Sequence, residues 1–533
     1  MTETAKPTPQ DPPGSESPPS VKPAGGGDAE TTRNAGRGGL AIAVAKVSFI
    51  VFGFAQQLIL PRLLGVDGYG AFRLVFSIVS IVNNVVVAMA IQGVSRAVSQ
   101  VPEAEGPQAF RRTLRVHVGL AMVLSLGFAL VAGTIADLQH SPHAATPLRL
   151  AALIVLLYGV YAPLVGSLNG RRRFLDQAGL DILYGAVRLA CVVIGALVFL
   201  RSGGSGVLGA IAGVAAAAAV IIPIASTRSG LGKAGGHKPV MKEYALFLVP
   251  LAVGQIFLNL LMQTDFMILS SLVGKAAGTG TEAGIKLADT LRGVYSGAQL
   301  FAFLPYQMLM SITFILFPML ARASAENDRA AVKSYTLTGV RLAFILTGLM
   351  CGAVSATAPH VLHLSFPEEV WTQGGEVLRI LSLGMGAFAI LGIACAALTG
   401  LGRATYAMLL TALGVGLIAA GCLVLVPRAA LGPAMLVQAA TATTAALTLT
   451  ALIAGVVLHR VAGAFVAPLS FVRVLVALGV AVAAGSRLPW IGKPGVLVEV
   501  AAVGALYLVV LIVSGELGQQ DLGRIRQVIG RRS

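Results

Sequence analysis

Apolar stretches of about 20 residues recur from Leu40 to Val513, separated by short turns rich in glycine and basic residues. A helix rises about 1.5 Å per residue and the hydrocarbon core of a bilayer is about 30 Å thick, so each stretch is long enough to cross a membrane. About fourteen such spans are predicted. Their approximate centres are Phe49, Val82, Leu126, Leu157, Cys191, Val214, Leu258, Gln307, Phe344, Ala387, Gly414, Thr444, Ala477 and Leu506. The pattern predicts an all-α, polytopic membrane protein. The loops on the side away from the N-terminus are short. The longest is expected between Gly274 and Arg292, too small for a soluble domain.

Composition agrees. Of 533 residues, 56% are hydrophobic and 12% charged, about half the charge of a soluble domain. Residues 1–37, rich in Pro, Gly, Ser and Thr, cannot bury enough apolar surface to fold and are expected to form a disordered cytosolic tail. The net charge is +16. In a soluble chain that excess would suggest nucleic acid, but here the cations sit in turns between spans. Arg96, Arg111, Arg112, Arg171–Arg173, Arg228, Arg322 and Arg403 fall on the side of the N-terminus. That side carries about three times the Lys and Arg of the other, which places both termini in the cytosol. Aromatics make up only 6%, and no basic stretch alternates with them, so nucleic acid is not an expected partner. Cys191, Cys351, Cys395 and Cys422 are isolated within apolar stretches and read as packing residues. The pairs His140/His143 and His360/His363 have helical metal-ligand spacing, but no Cys or carboxylate cluster completes a site. No metal and no cofactor is expected.

A repeat divides the chain. Leu64-Gly65 through Tyr69-Gly70 joins the first two spans, and Val273-Gly274 with Gly293-Val294-Tyr295 joins the seventh to the eighth. Gly170-Arg171 and Gly400-Leu401-Gly402-Arg403 follow the fourth and tenth. From Tyr69 to Gly170 is 101 positions and from Tyr295 to Gly400 is 105. The expected organisation is an N-terminal six-helix bundle over 38–240, a C-terminal one over 241–460, two further helices over 461–515 and a basic cytosolic tail over 516–533. Paired repeats of this kind bind substrate between their halves.

The same junctions carry a resemblance. Leu60-Pro61-Arg62-Leu63-Leu64-Gly65 through Tyr69-Gly70 resembles the turn after the first helix of the polysaccharide exporters and O-antigen flippases. These belong to the multidrug/oligosaccharidyl-lipid/polysaccharide exporter superfamily. Gln263-Thr264-Asp265-Phe266, Leu316-Phe317-Pro318 and Gly400-Leu401-Gly402-Arg403 resemble further family stretches in the same order. The insertion between Gly274 and Gly293 departs from the family pattern. The resemblance implies two bundles around a central cavity, alternating access, and a lipid-linked glycan carried between leaflets of the cytoplasmic membrane. It also implies membrane lipids, glycan polymerases and export proteins as partners, and no enzymatic activity. Lipid II flippases of the same superfamily also have two extra C-terminal helices, but their early helices carry several arginines. The first span here has Lys46 as its only charge before Arg62.

Polar groups inside spans are costly unless they face a partner or a wet cavity. Lys46, Gly53 and Gln57 share one face of the first span, with snorkelling as the plainer explanation for Lys46. Arg73, Ser77, Ser80 and Asn84 form a stripe on the second; an interfacial anchor explains Arg73 equally, and helix–helix hydrogen bonding explains Asn84. Arg188 lies too deep in the fifth span to snorkel and is the leading candidate for a fixed charge that attracts pyrophosphate. Asp181 precedes it by seven positions on the same face. Gln255, Asn259 and Gln263 step along one face of the seventh span, as in a sugar-facing cavity. Asp265, turned away from them near the outer end, is the candidate for ion coupling.

The expected function is translocation of a lipid-linked oligosaccharide or polysaccharide precursor. A lipid II flippase and a multidrug/cation antiporter are the nearest alternatives. An antiporter for cations should favour acidic cavity residues. A membrane glycan polymerase or ligase needs catalytic groups on a sizeable outer loop, and Glu368-Glu369 is the only adjacent acidic pair expected outside.

Overall fold

The computed structural model describes residues 27–233, 241–490 and 492–518; the tail expectations for 1–26 and 519–533 lie outside this range. Within it the chain is helical: α1 (Gly27–Ser99), α2 (Gly106–Leu138), α3 (Ala145–Gly170), α4 (Phe174–Arg201), α5 (Gly206–Ser229), α6 (Met241–Ala277), α7 (Glu282–Ala302) and α8 (Leu304–Ala325). There follow α9 (Arg329–Ala356), α10 (Ala358–Ser365), α11 (Glu368–Gly400), α12 (Ala404–Leu425), α13 (Pro433–Ala462), α14 (Pro468–Gly485) and α15 (Gly495–Val513). No strand occurs among the described residues. α1 starts at Gly27, within the segment expected to be disordered.

Twelve helices among the described residues are long and apolar enough to cross a membrane. The first of these is two crossings. Pro61 withholds one backbone donor, and Gly65 takes φ 77° and ψ 168°, which no helix contains. Lys46 and Asn84 line the same cavity, whereas 38 residues of straight helix would separate them by about 57 Å. α1 therefore doubles back at Gly65. α7 and α8, broken at Phe303 ahead of Pro305, supply one more crossing. Counting α1 twice and α7–α8 once gives fourteen.

The stretch expected as the longest outer loop is mostly helix. α6 runs to Ala277, Gly278 ends it at φ 67°, and Thr281 caps α7 by accepting from the Gly284 amide at 3.1 Å. Charge made this segment look like a loop. The charges of Asp289 and Arg292 are in fact buried and paired one helical turn apart.

Helices α1 to α5 pack on one another as a first group, and α7 to α13 pack around α11 as a second. α6 packs on α12 and α7 and also on α1, so the groups meet mainly through α1 against α6 and α7. α14 and α15 pack on α9. The ends of the bundle differ. One bears the α3–α4 and α11–α12 turns with Arg171–Arg173 and Arg403, and is called the basic end. The other bears the α1 reversal, and is called the kink end.

Candidate functional site

A cavity of about 400 Å³ lies between the two halves of α1, α3 and α4, with Gln263 of α6 on its far wall. Its charged lining is mostly cationic. Lys46, Arg73 and Arg188 face it, with Asp181 as the one carboxylate among its lining residues.

The cations are held in two ways. Arg188 stands 14 positions into α4, near mid-helix, and its guanidinium carbon is 5.1 Å from the centre of the Phe76 ring. Among the described residues its buried Nε has no hydrogen-bond partner, and no carboxylate pairs with it. Arg73 packs similarly, 5.9 Å from the Phe266 ring, and its Nε is also without a partner among the described residues. A guanidinium on an aromatic face keeps its in-plane donors free for an anion. Lys46 is more open, its side chain 64% exposed, with Nζ 3.7 Å from Asp181 Oδ2. At that distance and exposure the pair is loose and contributes little to stability.

The rest of the wall suits a polyhydroxylated ligand. Tyr158 and Tyr161 on α3 meet Tyr184 on α4; the hydroxyls of Tyr158 and Tyr184 are hydrogen-bonded, and the Tyr158 and Tyr184 rings sit edge to face at 5.7 Å. Asn84 Nδ2 donates to Asn259 Oδ1 at 2.8 Å, across the boundary between the groups. Asn83, beside it, lines the cavity with a buried Oδ1 that has no partner among the described residues.

Of the residues singled out in the sequence, Lys46, Arg73, Ser80, Asn84, Asp181, Arg188 and Gln263 line this cavity together. Asn259 is buried behind the wall as the acceptor for Asn84 and donates to the Gln255 carbonyl at 2.7 Å. Gln255 and Gln57 are half-buried and outside the lining. Asp265 is not beside water at a helix end. It is 1% exposed inside the second group, accepting from the Tyr295 hydroxyl at 2.8 Å and Gln299 Nε2 at 3.1 Å. Sequence reasoning missed the tyrosines. The signal was present: Tyr158 and Tyr161 share an i, i+3 face, and Tyr184 falls on the face that carries Asp181 and Arg188.

The sequence matches a family model over residues 59–371, described as polysaccharide biosynthesis protein. The chain belongs to that family. The match spans α1 from just before its reversal into α11, and so includes Arg73, Arg188 and Gln263. No curated protein matches the sequence. Among solved structures, the polysaccharide biosynthesis chain is similar to the lipid II flippase MurJ in an inward closed conformation. The TM-score is 0.69 at 12% identity, covering 90% of this chain and 99% of that one. It is similar to a multidrug resistance MATE family transporter of the MOP superfamily, inward-facing, with TM-score 0.60 at 14% identity, covering 79% and 98%. A third neighbour is a MOP superfamily transporter from Pyrococcus furiosus described as having a binding pocket of reverse polarity. Its TM-score is 0.56 at 14% identity, covering 79% and 96%. At these identities the likeness is one of fold.

Proposed function

We propose that this member of the polysaccharide biosynthesis family is a flippase that carries a pyrophosphate-linked glycan lipid across the cytoplasmic membrane. The observation that carries the reading is the clustering of Lys46, Arg73 and Arg188 in one cavity with tyrosines and amides. Three cations against one carboxylate suit an anion. Guanidinium donors match pyrophosphate oxygens in pairs. Tyrosine rings and amides stack on and hydrogen-bond to sugar. A cation-exporting drug transporter needs the opposite sign of charge, and Asp181 alone, already beside Lys46, is a poor site for one.

In this reading the first group over 38–240 and the second over 241–460 are the two moving halves, and 461–515 forms an accessory hairpin. The basic end is cytosolic. The cavity faces each side in turn, and the glycan leaves chemically unchanged for polymerases and export proteins outside. Asp265, enclosed by Tyr295 and Gln299 on α7, serves ion coupling. Its hydrogen bonds would change when a proton or cation binds.

The test is reconstitution. Purified protein in liposomes should move a pyrophosphate-linked sugar lipid from one leaflet to the other, with its mass unchanged. Failure to accelerate movement above empty liposomes would contradict the transport reading, and a protein-dependent mass change would make the protein an enzyme.

A further inference from the structure

The hairpin of α14 and α15 is fastened to the second group at both ends, by different chemistry. At the basic end Glu516, 3% exposed, accepts from Arg341 at 2.7 Å and lies 3.5 Å from Arg473. A guanidinium keeps its charge at every physiological pH. This fastening is permanent.

At the kink end the cations are histidines. α10 carries His360 and His363 one turn apart. His360 Nδ1 lies 2.5 Å from Oε2 of Glu499 on α15. Glu499 is 3% exposed, and its Oε1 is buried without a hydrogen-bond partner among the described residues. His363 lies between two indoles. Trp371 of α11 and Trp490 of the α14–α15 turn each stack on it, with ring centres 4.3 Å apart and planes at 24°. Trp490 also meets His360 edge to face at 5.3 Å.

The elements packed on α10 bring few other charges to this end. α11 has Glu368, Glu369 and Glu376, all exposed, and Arg379 two turns beyond Trp371. The hairpin turn has Arg487 and Lys493, both exposed. Arg62 of α1 donates to the Ser365 carbonyl, at the far end of α10. α9 has no charged residue beyond Arg341, and its Cys351 is buried. Among the described residues, Glu499 alone pairs with either histidine.

We propose that this cluster is a proton-operated clasp that closes the accessory hairpin on α10. A buried carboxylate with one bare oxygen is costly unless a cation sits beside it. Protonated His360 is that cation, whereas neutral His360 supplies a hydrogen bond and no charge. The two indole faces attract an imidazolium more strongly than a neutral ring. Protonation of either histidine therefore tightens the same joint. Histidine is the side chain whose charge changes between about pH 5 and 8. The clasp is closed in acid and weakens as pH rises through the range in which imidazoles lose their protons. Glu516 keeps its arginines throughout, so the hairpin loosens at its kink end alone. The inference concerns the hairpin and does not rest on the cargo.

Trp371 and Trp490 are the two tryptophans of the chain. A protonated imidazole quenches an indole stacked on it, so emission reports His363 directly. In nanodiscs, emission of the full-length protein should fall as pH is lowered from about 8.5 to about 5.5. His363→Phe keeps a stacked ring and should abolish the fall. Pulsed EPR reads the joint itself, with the native cysteines replaced by alanine. Labels on Thr372→Cys and Leu488→Cys, exposed on α11 and in the hairpin turn, should give one short distance in acid. At alkaline pH that distribution should broaden and lengthen. Labels on Ser334→Cys and Leu469→Cys, exposed on α9 and α14 towards the basic end, should not respond. The double variant His360→Gln/His363→Phe should lose the response of the first pair. If it does not fold, His363→Phe alone should at least halve that response. Emission that does not titrate would overturn the clasp. So would a kink-end distance that ignores pH, equal movement of both label pairs, or an undiminished response in the variants.

Discussion

Asn84 and Asn259 are 175 positions apart and joined by a 2.8 Å side-chain hydrogen bond across the boundary between the first and second helix groups. Asn259 also donates to the Gln255 carbonyl, so it stays partly satisfied if Asn84 is lost. Interhelical bonds of this kind in membranes average about 0.6 kcal/mol in double-mutant cycles. Asn84→Leu and Asn259→Leu should therefore each destabilise modestly. Their coupling in a double-mutant cycle of thermal unfolding in detergent should be about that size. Additive effects would show that the pair does not act as a unit.

Asp265→Asn keeps the shape of the buried group and removes its charge. Tyr295 and Gln299 can still donate to the amide oxygen. The variant should fold to normal yield while transport loses its dependence on a proton or sodium gradient. Gradient-driven transport at the parental rate by this variant would remove Asp265 from coupling.

The accessory hairpin is pinned along its length. His360 Nδ1 meets Glu499 Oε2 at 2.5 Å, the Tyr507 hydroxyl donates to the Ile345 carbonyl at 3.0 Å, and Glu516 accepts from Arg341 at 2.7 Å. Tyr507→Phe should cost about 1 kcal/mol, one buried hydrogen bond. Glu516→Ala should cost more, because Arg341 and Arg473 both lose a buried acceptor. Proteolysis in the turn between α14 and α15 should follow the same order. Equal sensitivity of both variants and the parent would show that the hairpin is not held by these contacts.

Both termini are expected in the cytosol, from the excess of Lys and Arg at the basic end. Cysteines introduced at Ser17 and Ser533 should resist an impermeant thiol reagent in intact cells and react once the membrane is opened. Labelling of either in intact cells would invert the topology.

How much of this was legible in the sequence differs by element. Apolar length gave the spans, because only span-length helices reconcile such hydropathy with a bilayer. Arg188 was legible through depth, since a charge in mid-helix has few alternatives to a cavity. Arg73 was ambiguous because an interfacial anchor and a cavity lining share the same stripe on an isolated helix. Only the packing of α1 against α6 brings Arg73 beside Phe266. Gln57 shares a helical face with Lys46 but not its cavity, because a face computed on one helix says nothing about where the neighbouring helices stop. Asp289 and Arg292 were hidden in a supposed loop. Their i, i+3 spacing with opposite charge was the available signal for a helix.

The central claim is that the cationic cavity grips the pyrophosphate of the cargo, and Arg188 tests it most directly. Transport and membrane level are measured together in liposomes for Arg188→Ala and Arg188→Lys. The guanidinium has no carboxylate partner among the described residues, so its removal should leave no buried acid unpaired and both variants should insert and fold. Arg188→Ala should lose most translocation of a pyrophosphate-linked sugar lipid, about tenfold or more for a lost charge-assisted pair of hydrogen bonds. Arg188→Lys should retain part of it, keeping the charge without the fork of donors. Parental transport by a well-folded Arg188→Ala protein would contradict the account.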